Sequence, residues 1–457
     1  MSPTSAEASP NSFRPFAGCD GSCSDQMKPS LNITVRRLWL VVSVLFAPAT
    51  WAEPTPIDQL VQRALARNPS IQAAKAKWEA ALRRITEQGA WEDPKVSFNT
   101  LLGRFVAISP NGFTDQSLTL EQAIPLSGKN RTRARIAMTE AVTAYEDFRR
   151  QQLDVAAKVK QGIYRISNLL ELLNLNRQDE ATLVDITAAT KSKFEVGTQS
   201  AVDYLTVDLE RQKIAETRRD LEEKLGNERT ALQVLLSDES FSGASLPPNI
   251  DRSTIDLSYS RLRQLTIAQR PEIRQAEAAV QGMSAKVELA KRDWIPDPEI
   301  TVQAERYNSG SQLVSELNAG VSISLPWVNR SKYRAAEDAA RSDLAAAQNT
   351  LEAAQTEAFG KLRDQLIRIE TIHHHIELYR DQLIPSARQT VESGESDYAA
   401  GKANLTQALT AENNLRQLEV MYQQDLTDYQ IALTDLAAIV GADLPVGSGK
   451  NQKRGMK

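Results

Sequence analysis

Cysteine is nearly missing from this sequence. Its two cysteines, Cys19 and Cys23, both lie ahead of the first apolar run. A chain processed after that run has no disulfide framework, no thiol nucleophile and no cysteine to carry a lipid at the cleavage site. Histidine is as scarce: His373, His374 and His375 stand together and there are no others. Neighbours on a helix point about 100° apart, so the triplet cannot converge on one ion as an i, i+4 pair does. The spacing places His373 in an apolar seam between Ile369 and Ile376, where a packed imidazole is expected. There is no Ser/His/Asp set, and no carboxylate pair stands out from helix-surface charge, so neither an enzyme nor a cofactor or metal site is expected. A dominant charge is absent too: 54 Lys+Arg against 58 Asp+Glu leave a net charge of −4, which gives no basis for a nucleic-acid partner.

Long hydrophobic runs are also lacking, with one exception. Leu38 to Ala47 is apolar, follows Arg36 and Arg37, and leads into small residues ending at Ala52. That is the layout of a secretory signal peptide, too short for a spanning helix. Met27 begins a leader of ordinary length, so the true start is expected at Met27 or Met1, with residues 1–52 outside the mature protein. At the other end, residues 445–457 carry Lys450, Lys453, Arg454 and Lys457 and read as a disordered basic tail.

Glycine and proline are sparse, at 20 and 19 in 457 residues, and that scarcity allows very long helices. From Asn130 to Phe194 there is no proline; at about 1.5 Å per residue this rod reaches roughly 98 Å. A second run, 200–237, follows the break at Val196-Gly197-Thr198. The same succession returns in residues 331–398, a break at Ala400-Gly401-Lys402, and residues 404–440. The apolar positions on the later rods form a narrow four-three seam, Leu362, Leu366, Ile369, Ile376 and Leu383, then Leu415, Leu418, Tyr422, Leu426, Tyr429, Leu433, Leu436 and Val440. This is coiled-coil geometry, so the rods are expected to pair as antiparallel hairpins with the glycine breaks at their tips.

Each rod is preceded by matching pieces. Residues 57–90 read as an amphipathic helix containing Asn68-Pro69, and residues 259–293 as its partner containing Arg270-Pro271. Trp91-Glu92-Asp93-Pro94 is echoed by Trp294-Ile295-Pro296-Asp297-Pro298. An alternating segment follows each Asp-Pro, and a second strand then runs to a proline: Ser117 to Leu120 towards Pro125, and Leu317 to Leu325 towards Pro326. Ser127 and Asn130 are the expected helix caps after the first. The sequence is thus a duplicated αββαα unit, residues 53–237 and 259–444 joined by a Ser/Pro/Asn-rich linker at 238–258. The strand at Leu317 has Leu317, Ala319, Val321, Ile323 and Leu325 on one face and Asn318, Gly320, Ser322 and Ser324 on the other. Nine residues of such alternation suit a tilted outer-membrane barrel strand. Four strands cannot close a barrel, but several subunits contributing four each can. A non-pore periplasmic coiled-coil protein with a small sheet cap is the alternative.

These phrases carry a family resemblance across Pro56 to Leu444. The sequence resembles the TolC family of outer-membrane efflux proteins in Ala66-Arg67-Asn68-Pro69 and its echo, Trp91-Glu92-Asp93-Pro94, Leu120 to Lys129, Phe194-Glu195-Val196-Gly197, Tyr398-Ala399-Ala400-Gly401, Leu383 to Arg388, and Leu436 to Gly441. The resemblance implies a homotrimer in the outer-membrane lipid, with twelve strands in one barrel and twelve helical rods in a periplasmic tunnel. It also implies a periplasmic membrane-fusion adaptor and an inner-membrane RND pump as partners. Ser127-Gly128-Lys129 is similar to the element in the CzcC-like branch serving heavy-metal efflux; drug efflux and type I secretion are the alternatives for the same channel.

Site residues follow from the resemblance. Val196, Gly197, Thr198, Ala400, Gly401 and Lys402 are implied to meet the adaptor, and Pro125, Gly128, Pro326 and Asn329 to mark the passage from barrel to tunnel. The closed constriction is implied near the start of the helix after the second tip, where well-known members carry acidic residues at positions matching Gln407 and Thr410. Neither is acidic here. Asp203, Glu392, Glu395 and Asp397 are the carboxylates near enough in sequence to supply negative charge instead, and a symmetric ring of them would favour cations.

Overall fold

The computed structural model describes residues 57–100, 115–242, 253–254, 258–309, 312–400, 402–442, 444 and 447–448. The expected signal peptide, most of the linker, nearly all of the tail and Gly401 lie outside them. The first repeat supplies α1 (Ile57–Arg67), α2 (Pro69–Gly89), β1 (Lys95–Thr100), β2 (Gln116–Ala123), α3 (Lys129–Glu195) and α4 (Ala201–Leu236). A short strand β3 (Ser253–Thr254) precedes α5 (Tyr259–Gln269), α6 (Pro271–Arg292), β4 (Pro298–Ser309) and β5 (Gln312–Ile323). A 3-10 turn (Pro326–Asn329) then leads to α7 (Arg330–Leu378), a π turn (Tyr379–Leu383), α8 (Ile384–Ala399) and α9 (Leu405–Val440). A last strand, β6 (Gly447–Ser448), pairs with β3.

The two leading helices are each split in two, where the sequence suggested one. Pro69 and Pro271 stand at the first positions of α2 and α6, where a missing N–H costs nothing but the preceding residue is forced out of helix. Asn68 is extended at φ −64, ψ 123 and accepts from the Ser70 N–H. The same side chain donates to the Leu235 carbonyl at 3.0 Å, which ties the kink to the end of α4. Arg270 does the equivalent work in the second repeat by donating to Ile439 O at 3.1 Å.

Apolar burial follows the hairpins. Leu60, Ile71, Val159, Ile163, Ile166, Leu225 and Leu232 form one core among α1 to α4. Leu262, Leu362, Leu436, Val440 and Leu444 form its counterpart around α5, α7 and α9. The seam in the second rod departs from the expected one at two places. Ile372 and Ile376 are buried while His373 is half exposed, so the imidazole is not a core residue; its ring lies 5.9 Å from that of Tyr429. Leu383 is also exposed and Ile384 takes its place, followed by Val391. The cause is Pro385, which has no N–H and whose ring would strike the carbonyl of Asp381. The helix widens into a π turn whose Ile384 N–H reaches Tyr379 O, and the extra residue moves the seam by one.

The four longer strands make one antiparallel sheet in the order β1-β2-β4-β5. The two hairpins meet through β2 and β4, so the repeats join at the centre of the sheet and β1 and β5 are its edges. The register aligns like with like. Val96, Leu120, Val302 and Ala319 lie in one row and Phe98, Leu118, Ala304 and Leu317 in the next, while Ser97, Thr119, Gln303 and Asn318 form a row on the opposite face.

Candidate functional site: the sheet, its junctions and the helical tips

Among the described residues nothing covers the apolar rows. Val96, Phe98, Leu118, Leu120, Ile300, Val302, Leu317, Val321 and Ile323 are between 37% and 75% exposed. In water such a face is unfavourable, at about 25 cal/mol for each Å² left uncovered; in hydrocarbon it is at home. The other face is hydrogen-bonding and charged, and Tyr307 there donates to Glu316 at 2.8 Å. Apolar on one side and polar on the other, with backbone paired within, is the construction of a transmembrane β-barrel wall. No helix among the described residues is long and apolar enough to cross a membrane, which bears on helices and says nothing of a barrel.

Where β2 passes into α3, the chain is locked. Asp297, on the approach to β4, accepts from the backbone N–H of Ser127 at 3.0 Å and from Lys129 Nζ at 2.9 Å. Ile124 donates to the Pro298 carbonyl. Arg292, itself paired with Glu288, donates Nη1 to Ser127 O at 2.9 Å. Burial pushes the Asp297 carboxyl up, but the hydrogen bonds from Ser127 and Lys129 and the lysine charge outweigh it and hold it below the usual value. Gly128, and neither Ser127 nor Asn130, is the helix cap: it sits at φ 70 with no side-chain cap bond. A Cβ there would also come within 2.7 Å of Arg292 Nη1. Asn130 is already inside the helix and donates to Ala90 O at 2.6 Å.

The second junction is bare. Pro326 is buried, but Leu325, Trp327, Val328 and Asn329 are exposed. Asn329 is the cap but its side chain accepts from no helix backbone N–H, only from the Ser331 hydroxyl at 3.3 Å; the backbone is held by Val328 N–H to Leu325 O at 3.2 Å.

The first tip turns at Gly197, φ 77, between Glu195 and Ala201. Val196 is exposed, and Thr198 bonds through its N–H and its hydroxyl to Lys193 O. At the second tip Ala400 and Lys402 are exposed, and the N–H groups of Lys402 and Ala403 both reach Asp397 O. The side chains implied for the constriction have local partners or face solvent. Asp203 accepts from Gln199 at the base of α4. Gln407 is spent in a capping box with Asn404, Thr410 bonds back to Thr406 O, and Glu392, Glu395 and Asp397 are exposed.

A charged layer that sequence reasoning missed lies a few turns above the tips. Arg218 of α4 pairs with Glu180 of α3, Asp179 of α3 with Arg416 of α9, and Glu419 of α9 with Arg388 of α8, all at 2.7 to 2.8 Å. Burial raises Asp179 despite Arg416, and burial followed by the charge of Glu395 raises Glu412 in the same layer. In the sequence these are ordinary helix-surface charges; only the order of packing brings them together. No group of three or more His, Cys, Asp or Glu among the described residues is arranged to hold a metal.

Comparison with known proteins agrees with the sheet and rods. The chain is 25% identical over 314 residues to the nickel and cobalt resistance protein CnrC of Cupriavidus metallidurans, covering 67% of this chain and 72% of that one. It is 24% identical over 388 residues to the toluene efflux pump outer membrane protein TtgF of Pseudomonas putida, covering 81% and 79%. A solved membrane protein from Pseudomonas aeruginosa superposes with a TM-score of 0.74 at 20% identity, over 85% of this chain and 90% of that one, and shares its fold. Residues 60–236 and 262–442 both match the outer membrane efflux protein family. The chain belongs to that family, the TolC-like channels of the bacterial outer membrane.

Proposed function

We propose that three copies of this chain close a twelve-stranded barrel in the outer membrane, continued into the periplasm by a tunnel of paired rods. One observation carries this reading: a four-stranded sheet, apolar and exposed on one face, polar on the other, open at both edges, with its second and fourth strands running into long helices. The channel is a passive duct. Repeats 53–237 and 259–444 each supply half of one subunit's wall. An adaptor engages Val196, Gly197, Thr198, Ala400, Gly401 and Lys402 at the tips, and an inner-membrane RND pump supplies the energy. Pro125, Gly128, Pro326 and Asn329 mark the change from barrel to tunnel. Asp203, Glu395, Asp397, Gln407 and Thr410 surround the constriction.

For cargo we favour divalent heavy-metal cations, on the likeness of the Ser127-Gly128-Lys129 phrase to metal-efflux members and on the relation to CnrC. The similar identity to TtgF makes organic solutes the second reading. Purified protein in planar bilayers should conduct; no conductance, together with a water-soluble monomer in the absence of detergent, overturns the channel. Deletion should sensitise cells to nickel, cobalt, zinc or cadmium; unchanged metal tolerance with heightened solvent or drug sensitivity selects the second cargo. Gly197→Pro should abolish efflux while leaving the trimer intact, and loss of the trimer instead would show that the tip is misplaced.

A further inference from the structure

The repeat allows the open junction to be completed by analogy with the closed one. Within the chain, the end of β2 meets the approach to β4, and Lys129 pairs with Asp297. Aligning Pro125 with Pro326 puts Lys129 on Arg330; aligning Asp297-Pro298 with Asp93-Pro94 puts Asp297 on Asp93. The strand that bears the same relation to β5 as β4 bears to β2 is therefore β1. It lies on the opposite edge of the same sheet, where β5 of the same chain does not meet it.

We infer that Arg330 of one copy pairs with Asp93 of the next, and that β5 meets the next copy's β1 with Ile323 opposite Val96 and Val321 opposite Phe98. The register comes from transferring the β2–β4 pairing, such as Leu120 opposite Val302, through the same alignment. It passes an independent check: a shift by one residue would set apolar side chains against polar ones, whereas this register joins Ile323 to Val96, Val321 to Phe98 and Ser322 to Ser97, continuing the rows of the sheet. Both charges are available. Asp93 and Arg330 are exposed, and among the described residues neither has an ion-pair partner; Arg330 donates only to Trp327 O. The correspondence extends to the charge pair and not to the whole lock, since the Val328 N–H is already used inside the 3-10 turn where Ser127 donates to Asp297. The inference rests on the multi-subunit barrel proposed above and specifies its seam.

The test uses the full chain in detergent, with Cys19 and Cys23 replaced by serine. Ser97→Cys with Ser322→Cys should give covalently linked chains on mild oxidation. Lys95→Cys with Ser322→Cys, or Asn99→Cys with Ser322→Cys, should link less, because each represents a two-residue slip that keeps the same faces. Preferential linking of a slipped pair overturns the register. Separately, Arg330→Glu and Asp93→Lys should each lower the temperature at which the oligomer dissociates, and the double reversal should recover most of that loss. Single variants without effect, or a double variant as weak as both losses combined, overturn the ion pair. If the unmodified chain runs as a monomer, the barrel reading itself fails; a stable trimer that does not link through residues 97 and 322 removes only this seam.

Discussion

The two strand-to-helix junctions arise from similar sequence and end in opposite states. Both follow an alternating strand, both contain a proline, and both start a long helix. The first is braced by Asp297, Lys129, Arg292 and Ser127 and turns through Gly128 in a left-handed conformation. The second leaves Trp327 and Val328 to solvent and caps its helix with Asn329, whose side chain takes no backbone N–H. The difference is position in the sheet: β2 is a central strand with β4 beside it, and β5 is an edge. A junction is only as closed as the strand next to it allows.

The largest expected effect concerns the strand that feeds the open junction. Val321→Lys should hinder membrane insertion by about 2 to 4 kcal/mol if the residue lies near mid-bilayer, whereas Ser322→Lys on the polar face should insert nearly as well as wild type; both are read as the folded fraction recovered in the membrane. Equal penalties would mean that the two faces are not distinguished by lipid. The braced junction is tested by Asp297→Ala, which removes two hydrogen bonds and leaves Lys129 without its nearest carboxylate. Thermal unfolding should register a loss of about 1.5 to 3 kcal/mol. Asp93→Ala, its counterpart at the open edge, should leave the chain's own fold within about 0.5 kcal/mol and act only on assembly.

Backbone shape separates the junctions further. Gly128→Ala should cost about 1 to 2 kcal/mol because an L-residue is disfavoured at that positive φ, while Asn329→Ala, at φ −112 with no backbone cap bond and only an exposed hydroxyl bond from Ser331 to lose, should change stability by less than about 0.5 kcal/mol. The smallest effect is the pH dependence of the brace. The Asp297 carboxyl is held below its ordinary value of 3.8, so its contribution is fully present above that value and is lost as pH falls through the lowered one. Stability measured down an acid series should therefore show an additional decline near and below pH 3.8 that Asp297→Asn lacks.

Much of the fold was legible because it rests on local rules. Strand alternation around Leu317 to Ile323, the length of the rod from Lys129 to Glu195, and the turn at Gly197 follow from side-chain periodicity and from the scarcity of breakers. The errors also have local causes that pattern alone underweights. Pro69 and Pro271 split helices that an amphipathic stripe makes continuous, and Pro385 inserts a π turn that transfers the seam from Leu383 to Ile384. Spacing alone puts His373 in the seam, yet Ile372 and Ile376 fill it. The candidate site was less legible. The tips were marked by glycine, but Asp297 and Lys129 are 168 residues apart, and Asp179, Arg416 and Glu412 look like ordinary solvated charge until their helices are packed.

The sequence by itself determined the duplication, the alternation of strand faces and the long rods, since these depend on the order of residues within one element. It also set the places where strand becomes helix. Only the tertiary structure decided which of those places is closed, because that depends on β4 lying against β2 and on a carboxylate from the other repeat reaching Lys129. The same sheet order leaves β1 and β5 at its edges and Arg330 without a carboxylate among the described residues: backbone groups and charges must find partners across space, and the linear order of residues does not say which strand will be beside them.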